Sequence, residues 1–193
     1  MTLLEYILVC MLTLMPARYH APLALAIASD VNSSPALFKD DDAITVNGVP
    51  LPAKSKTAAL YVAISFREST LRPSVVGDCP GMKPADPKCT VEAGARSFGA
   101  FQRFFGDRFE KTHDGLTWKE IHESPSAQAK EAGWQLHQSF KVCPEHPIAW
   151  YAHGRDPREA CEDKRSRSIS ADRIWLAKKI RADVSNTIHI AME

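Results

Sequence analysis

The sequence predicts a mostly α-helical protein built as one domain. Three observations carry that expectation. Apolar residues recur at helical spacing in several segments between Lys56 and Val184. No alternating period-two run of useful length occurs, and at most a short strand fits near Ala43 to Val49. The chain has 193 residues, 45% hydrophobic and 8% aromatic, which is enough apolar material for a single core.

The elements follow in order. Leu3 to Met15 is almost wholly apolar, and Ala24-Leu25-Ala26 has the small residues of a cleavage site. A secretory leader normally opens with a basic stretch. Here the first basic residue is Arg18, and Glu5 stands where the positive charge belongs. The run is too short to span a bilayer. Two readings stand side by side: an export signal, and a buried helix of the domain. Ala21 to Val31 reads as a short helix ending at Asn32-Ser33-Ser34, so residues 1–34 form an apolar, helical segment. Residues 35–55 contain Asp40-Asp41-Asp42, Asn47-Gly48, Pro50 and Pro52, the breaker residues of a surface connection. Residues 56–185 are expected to form the main domain.

Lys56 to Glu68 carries Ala59, Leu60, Val62, Ala63, Ile64 and Phe66. That stripe is broader than a surface helix needs and predicts a central helix. It should end near Leu71, because Pro73 biases Arg72 away from helix. Residues 73–96 read as a long loop, rich in proline and glycine, with Pro84 among its breakers. Ser97 to Phe105 is aromatic-rich, and two of Phe98, Phe101 and Phe104 are expected in the core. Thr117 and Glu120 fit a capping box for a short helix to His122. Ser124 before Pro125 opens a helix to Val142. Pro147 to Tyr151 starts a short helix that Gly154 closes. Ser170 is expected to cap the last helix, which runs through Val184.

Net charge is +1, from 24 basic and 23 acidic residues. No basic excess points to nucleic acid, and no polybasic run points to a membrane anchor. Lys164-Arg165-Ser166-Arg167 reads as a solvated basic patch, able to attract anionic polymers. Four of the five cysteines form two local pairs in polar, proline-rich stretches, which suggests disulfides and an oxidising compartment. Four cysteines allow three connectivities. Cys79–Cys89 and Cys143–Cys161 are favoured because short loops close most easily. Cys10 lies in the apolar N-terminal run. His113, His122 and His137 show no ligand spacing and read as surface residues.

The chemistry centres on Glu68, at the C-terminal end of the most apolar helix. A carboxyl group in partly apolar surroundings stays protonated more readily and can donate. Glu68-Ser69, then Ser97-Phe98-Gly99-Ala100-Phe101-Gln102, then Trp150-Tyr151-Ala152-His153-Gly154 resembles the lytic transglycosylases of the lysozyme-like superfamily. The resemblance covers about residues 56 to 180. Ala100 departs from the family's Leu and Ala152 from its Asn. Each motif is short; their order and spacing carry the likeness.

The resemblance implies a lysozyme-like fold whose long, disulfide-constrained loop lies near a saccharide cleft. It implies Glu68 as the single catalytic acid and base. Ser97, Gln102 and Tyr151 would bind substrate, with Tyr151 hydrogen-bonding the acid and Gly99 letting backbone approach a sugar. The implied substrate is the peptidoglycan glycan strand, cut between N-acetylmuramic acid and N-acetylglucosamine to leave 1,6-anhydromuramyl ends. Neither metal nor cofactor is required, and the protein would act as a monomer in the cell envelope, periplasmic or secreted. A zinc site at Cys143, His146, His153 and Cys161 is set aside for a disulfide, because Pro144 and the match at Tyr151 favour one. The Ser97 position, where some lysozymes carry a second carboxylate, has no acid. A hydrolytic muramidase would draw one from Asp78, Asp86 or Glu92. A non-catalytic glycan-binding module, or a secretion-apparatus accessory that kept the fold, is the third reading.

Overall fold

The computed structural model describes residues 1–16, 21–42, 44–83, 86–106, 109–153 and 156–192. The expected features at Arg18, Ala43, Pro84 and Gly154 fall outside those residues. Two helices open the chain, α1 (Leu3–Leu14) and α2 (Ala21–Ser33). Thr2 and Glu5 cap α1 reciprocally, a capping box the sequence reading passed over. Tyr6, Ile7, Cys10 and Met11 are at most 1% exposed, so α1 is seated in the same core as the rest of the chain. Burial pushes the Cys10 thiol up to about 12.

The 35–55 connection contains a two-stranded hairpin, β1 (Ile44–Val46) and β2 (Val49–Leu51). Asn47 and Gly48 turn it, both with positive φ, as a tight hairpin requires. Asn47 reaches Asn186 through an amide–amide hydrogen bond of 2.8 Å, which docks the hairpin on the C-terminal helix.

The central helix is α3 (Ser55–Ser69). Every side chain from Ala58 to Ile64 is at most 1% exposed, so the helix is enclosed on all sides, as its broad apolar stripe predicts. Its start is fixed from a distance. Lys54 makes no side-chain cap, and the Asp41 carboxylate instead accepts the Lys56 and Thr57 N–H groups, both at 2.7 Å. Lys54 turns the other way and donates its Nζ to the carbonyls of Val31, Asn32 and Ser34 at 2.9, 3.0 and 2.7 Å. One ammonium thereby satisfies the open C-terminus of α2. At the far end, Thr70 and Leu71 are left-handed, and their N–H groups return to the Phe66 and Ser65 carbonyls.

Residues 73–96 form a long loop pinned by the Cys79–Cys89 disulfide. It contributes β3 (Val76–Gly77) to an antiparallel three-stranded sheet with β4 (Ser97–Phe98) and β5 (Arg103–Phe104), in the order β3-β4-β5. These strands are too short for a period-two signal. Phe98 and Phe101 are buried, whereas Phe104 is 43% exposed.

Helices α4 (Trp118–Glu123) and α5 (Pro125–Val142) start at Thr117 and Ser124 as the capping signals predict. Then come α6 (Ala149–His153), α7 (Pro157–Glu162) and α8 (Lys164–Met192). Helix α7 was not foreseen; Asp156 caps it through the Arg158 N–H at 2.8 Å. The last helix begins six residues before Ser170, so the cap expected there is corrected. Ser170 is buried inside the helix and accepts the Ile148 N–H at 3.1 Å, while Asp163 bonds Ser166 at the true start. The basic run Lys164–Arg167 is the first turn of α8. The second disulfide, Cys143–Cys161, joins the end of α5 to α7. Both favoured pairings are present. No described helix is long and apolar enough to cross a membrane.

Candidate active site

Glu68 is placed at the last turn of α3, where the enclosed helix emerges. Its carboxyl is not apolar-bound as expected: its side chain is 27% exposed, and Oε1 accepts a 2.9 Å hydrogen bond from Arg173 Nη2 on α8. Arg173 also donates to Asp172 at 2.5 Å, and Asp172 pairs with Arg67 at 2.7 Å. An alternating chain of charges therefore runs along the junction of α3 and α8.

Tyr151, on α6, lies between two ion pairs. Burial pushes its hydroxyl well above the ordinary tyrosine range. The charges of Glu68 and Glu131 push the same way, and Arg173 and Arg103 oppose them. The expected bond from Tyr151 to the acid is absent: the hydroxyl donates to the Phe101 carbonyl at 2.7 Å. Phe101 in turn sits edge-on to Tyr61 of α3, with ring centroids 5.9 Å apart. Tyr151 is thus a strut that holds the β4–β5 turn beside Glu68.

The other expected substrate contacts are also tied into the protein. Ser97 is 1% exposed and its hydroxyl donates to Asp78. Gln102 is left-handed, and its Nε2 donates to the carbonyls of Gly99 (2.9 Å) and Val75 (3.3 Å). Gly99 was expected to admit a sugar. Instead a Cβ there would fall 2.3 Å from Cδ of Gln128. Gln128 accepts the Ala100 N–H at 2.8 Å and donates to Pro73 (2.9 Å) and Ile121 (2.8 Å). One buried amide therefore joins the loop, the β4–β5 turn and the start of α5.

Of the candidate second carboxylates, Asp78 touches the turn through Ser97. Asp86 accepts the Lys88 N–H at 2.9 Å, and Glu92 is exposed. Neither Asp78 nor Asp86 has Glu68 or Arg173 among its described hydrogen bonds and ion pairs. The carboxylate that sequence reading missed is Glu131, only 3% exposed. Its Oε1 lies 3.0 Å from Arg103 Nε, although that N–H points aside, and its Oε2 meets His113 Nδ1 at 2.7 Å. The available signal was positional. Gln128, Ala132, Leu136 and Ser139 share one face of α5, and Glu131 borders it.

Of the three histidines expected at the surface, His113 is exposed and the other two are partly covered. His113 stacks on Trp134, with rings 4.3 Å apart, and His122 and His137 are half-buried. Among the described residues no cluster of three metal-ligating side chains occurs, and Cys143 and Cys161 are joined to each other.

No family model, curated protein or solved structure matches this chain. The chemistry of the Glu68 corner therefore has to be argued from its own residues. It offers one partly exposed carboxylate, a guanidinium on one of its oxygens, and a rigid turn braced by Tyr151 and Gln128.

Proposed function

We propose that the protein is a lytic transglycosylase that cleaves peptidoglycan glycan strands, with Glu68 as the only catalytic acid and base. The observation that carries this reading is the convergence at one corner of Glu68, the Ser97–Gln102 turn and Tyr151, the three motifs of the resemblance. They come from distant parts of the chain. A lysozyme-like fold accounts for the enclosed α3 that delivers Glu68 to its surface. The two disulfides suit an oxidising cell envelope.

In this reading, protonated Glu68 donates to the bridging oxygen and the glycosidic C1–O bond breaks. The N-acetyl carbonyl oxygen of the muramyl residue closes on C1 and holds the positive charge. The Glu68 carboxylate then takes the proton of the C6 hydroxyl, whose oxygen displaces the acetamido oxygen from C1. The product is the 1,6-anhydro ring, and Glu68 ends protonated for the next cycle. Arg173 must leave Oε1 as the saccharide seats, because the acid step needs a carboxyl free to donate. Ser97 and Gln102 act by holding the turn in shape, and sugar contacts fall to its backbone.

Mass analysis of digested peptidoglycan tests this directly. Wild type is expected to release anhydro ends. Glu68→Gln, which keeps the side-chain shape, should cut cleavage by about a hundredfold to ten-thousandfold. Reducing ends would instead identify a hydrolytic muramidase. Asp78, held at the turn by Ser97, is the carboxylate that favours that second reading. Glycan binding with no wild-type cleavage would sink both in favour of a binding module.

A further inference from the structure

A cavity of about 640 Å³ opens between α2 and α5, and none of its lining residues belongs to the Glu68 corner. Its volume falls in the range of small-molecule sites. We propose that this cavity is a second saccharide site, in which the Trp134 indole stacks on a sugar ring while Asp30 and His137 take its hydroxyls.

The walls are built rather than incidental. The Trp134 indole lies parallel to the His113 ring, with 5° between the planes. His113 is itself held by Glu131 at 2.7 Å and Asp114 at 3.0 Å. That fixes the indole plane before any ligand arrives but covers one of its faces, so the C–H face of a pyranose takes the opposite one. Asp30 is equally set. Its Oδ2 accepts the Tyr61 hydroxyl at 2.7 Å, and it rests against Gly133, where a Cβ would lie 2.3 Å from the same oxygen. His137 Nε2 is buried and has no partner among the described residues. His137 lines the cavity, but this nitrogen has no accessible surface, so a ligand hydroxyl reaches it only by turning the ring, and then satisfies it as donor or acceptor.

The charge balance selects the ligand class. Burial raises the Asp30 carboxyl and lowers the His137 imidazole, so both lean toward their neutral forms. The Lys130 charge at the rim is matched by Asp114 at 2.5 Å. With Asp30 leaning neutral and Lys130 paired, the described lining offers no unpaired cation to an anionic ligand and no fully charged, unpaired carboxylate to a cationic one. A neutral ligand rich in hydroxyl groups meets partners of both kinds. Glu131 ties this wall to the catalytic turn, because it bonds His113 on one side and pairs with Arg103, next to Gln102, on the other. The neutral sugar class follows from the cavity alone; its source in a glycan strand rests on the peptidoglycan reading.

The test uses the whole chain and chitotetraose as probe, read by NMR at the His137 imidazole and the Trp134 indole N–H. Saturable shifts at both are expected in wild type and in Glu68→Gln. Trp134→Ala should weaken the response at His137 at least about tenfold. Ser126→Trp, at an exposed position on the rim, should block it without disturbing the core. Shifts confined to residues around Glu68 overturn the proposal, as does an affinity unchanged in both Trp134→Ala and Ser126→Trp. Failure of the cleavage reading remains separate, because His137 reports binding without turnover.

Discussion

The contact of Gly77 with Gln102 shows how little room the Ser97–Gln102 turn has. A Cβ on residue 77 would fall 2.6 Å from Gln102 Oε1. Gly77→Ala must therefore swing the amide away and break its bonds to the Gly99 and Val75 carbonyls. Unfolding in urea should register a loss of about 1–2 kcal/mol. That loss should shrink in a Gln102→Ala background, where the clash has no partner. If the cost is the same in both backgrounds, the clash is not its cause. His137 gives a second test at this scale. Burial lowers its imidazole in the fold, whereas in the unfolded chain it titrates near about 6.5. Its contribution to stability is full above that value and is lost as pH falls through the lowered one. Asp30, raised by burial, works in the opposite sense, with its contribution lost as pH rises above the ordinary aspartate range. Melting temperatures of His137→Gln should accordingly fall less than those of wild type between about pH 7 and pH 5. A parallel fall in both proteins would show that His137 is not the titrating group.

The element most exposed to a single change is α3, because its cap comes from outside it. Asp41 is 3% exposed and accepts the Lys56 and Thr57 N–H groups and the Thr57 hydroxyl. Asp41→Ala strands all three donors and should cost about 2–3 kcal/mol by denaturant titration. Asp40→Ala, whose carboxylate is 80% exposed beside Lys56, should leave the denaturation midpoint nearly unchanged. Equal costs would refute the capping role. This element also marks what was legible in the sequence. The body of α3 and the starts of α4 and α5 were readable because apolar stripe, Thr117 and Ser124 act within one or two turns. Asp41 looked like a loop acid because the helix it caps starts fourteen residues later. Asn47-Gly48 announced a turn, but Pro50 hid the strand that follows it. Ser170 imitated a cap within a helix already under way. At the candidate site, Glu68 stood out through its sequence neighbours, whereas nothing in the sequence singled out its partner Arg173, 105 residues away. Glu131 and Gln128 were hidden for the same reason, since polar side chains on a helix default to solvent unless a distant partner buries them.

At the scale of the whole molecule, the two covalent links and the first helix act on different parts. The Cys79–Cys89 bridge closes a ten-residue separation in the loop that supplies β3, whereas Cys143–Cys161 ties α5 to α7. Replacing the first pair by serine should cost roughly 2–3 kcal/mol, chiefly through a less restricted unfolded chain. Helix α1 has no covalent tie and depends on burial alone. It packs against α2, α3 and α8, and its Tyr6, Ile7, Cys10 and Met11 fill space inside the shared core. Fully burying a large apolar side chain stabilises by about 1.5–3 kcal/mol, so Ile7 and Met11 alone supply a large share of the stability of an ordinary domain. Removing residues 1–16 would also expose the apolar faces of α3 and α8 that α1 covers. The shortened chain is therefore expected to lose its cooperative thermal transition and to bind a hydrophobic dye. Processing after Ala26 would take away the buried Leu23 and Ala24 as well. A shortened protein that melts as sharply, and at the same temperature, as the full chain would show that α1 is dispensable to the core and restore the export-signal reading of this segment.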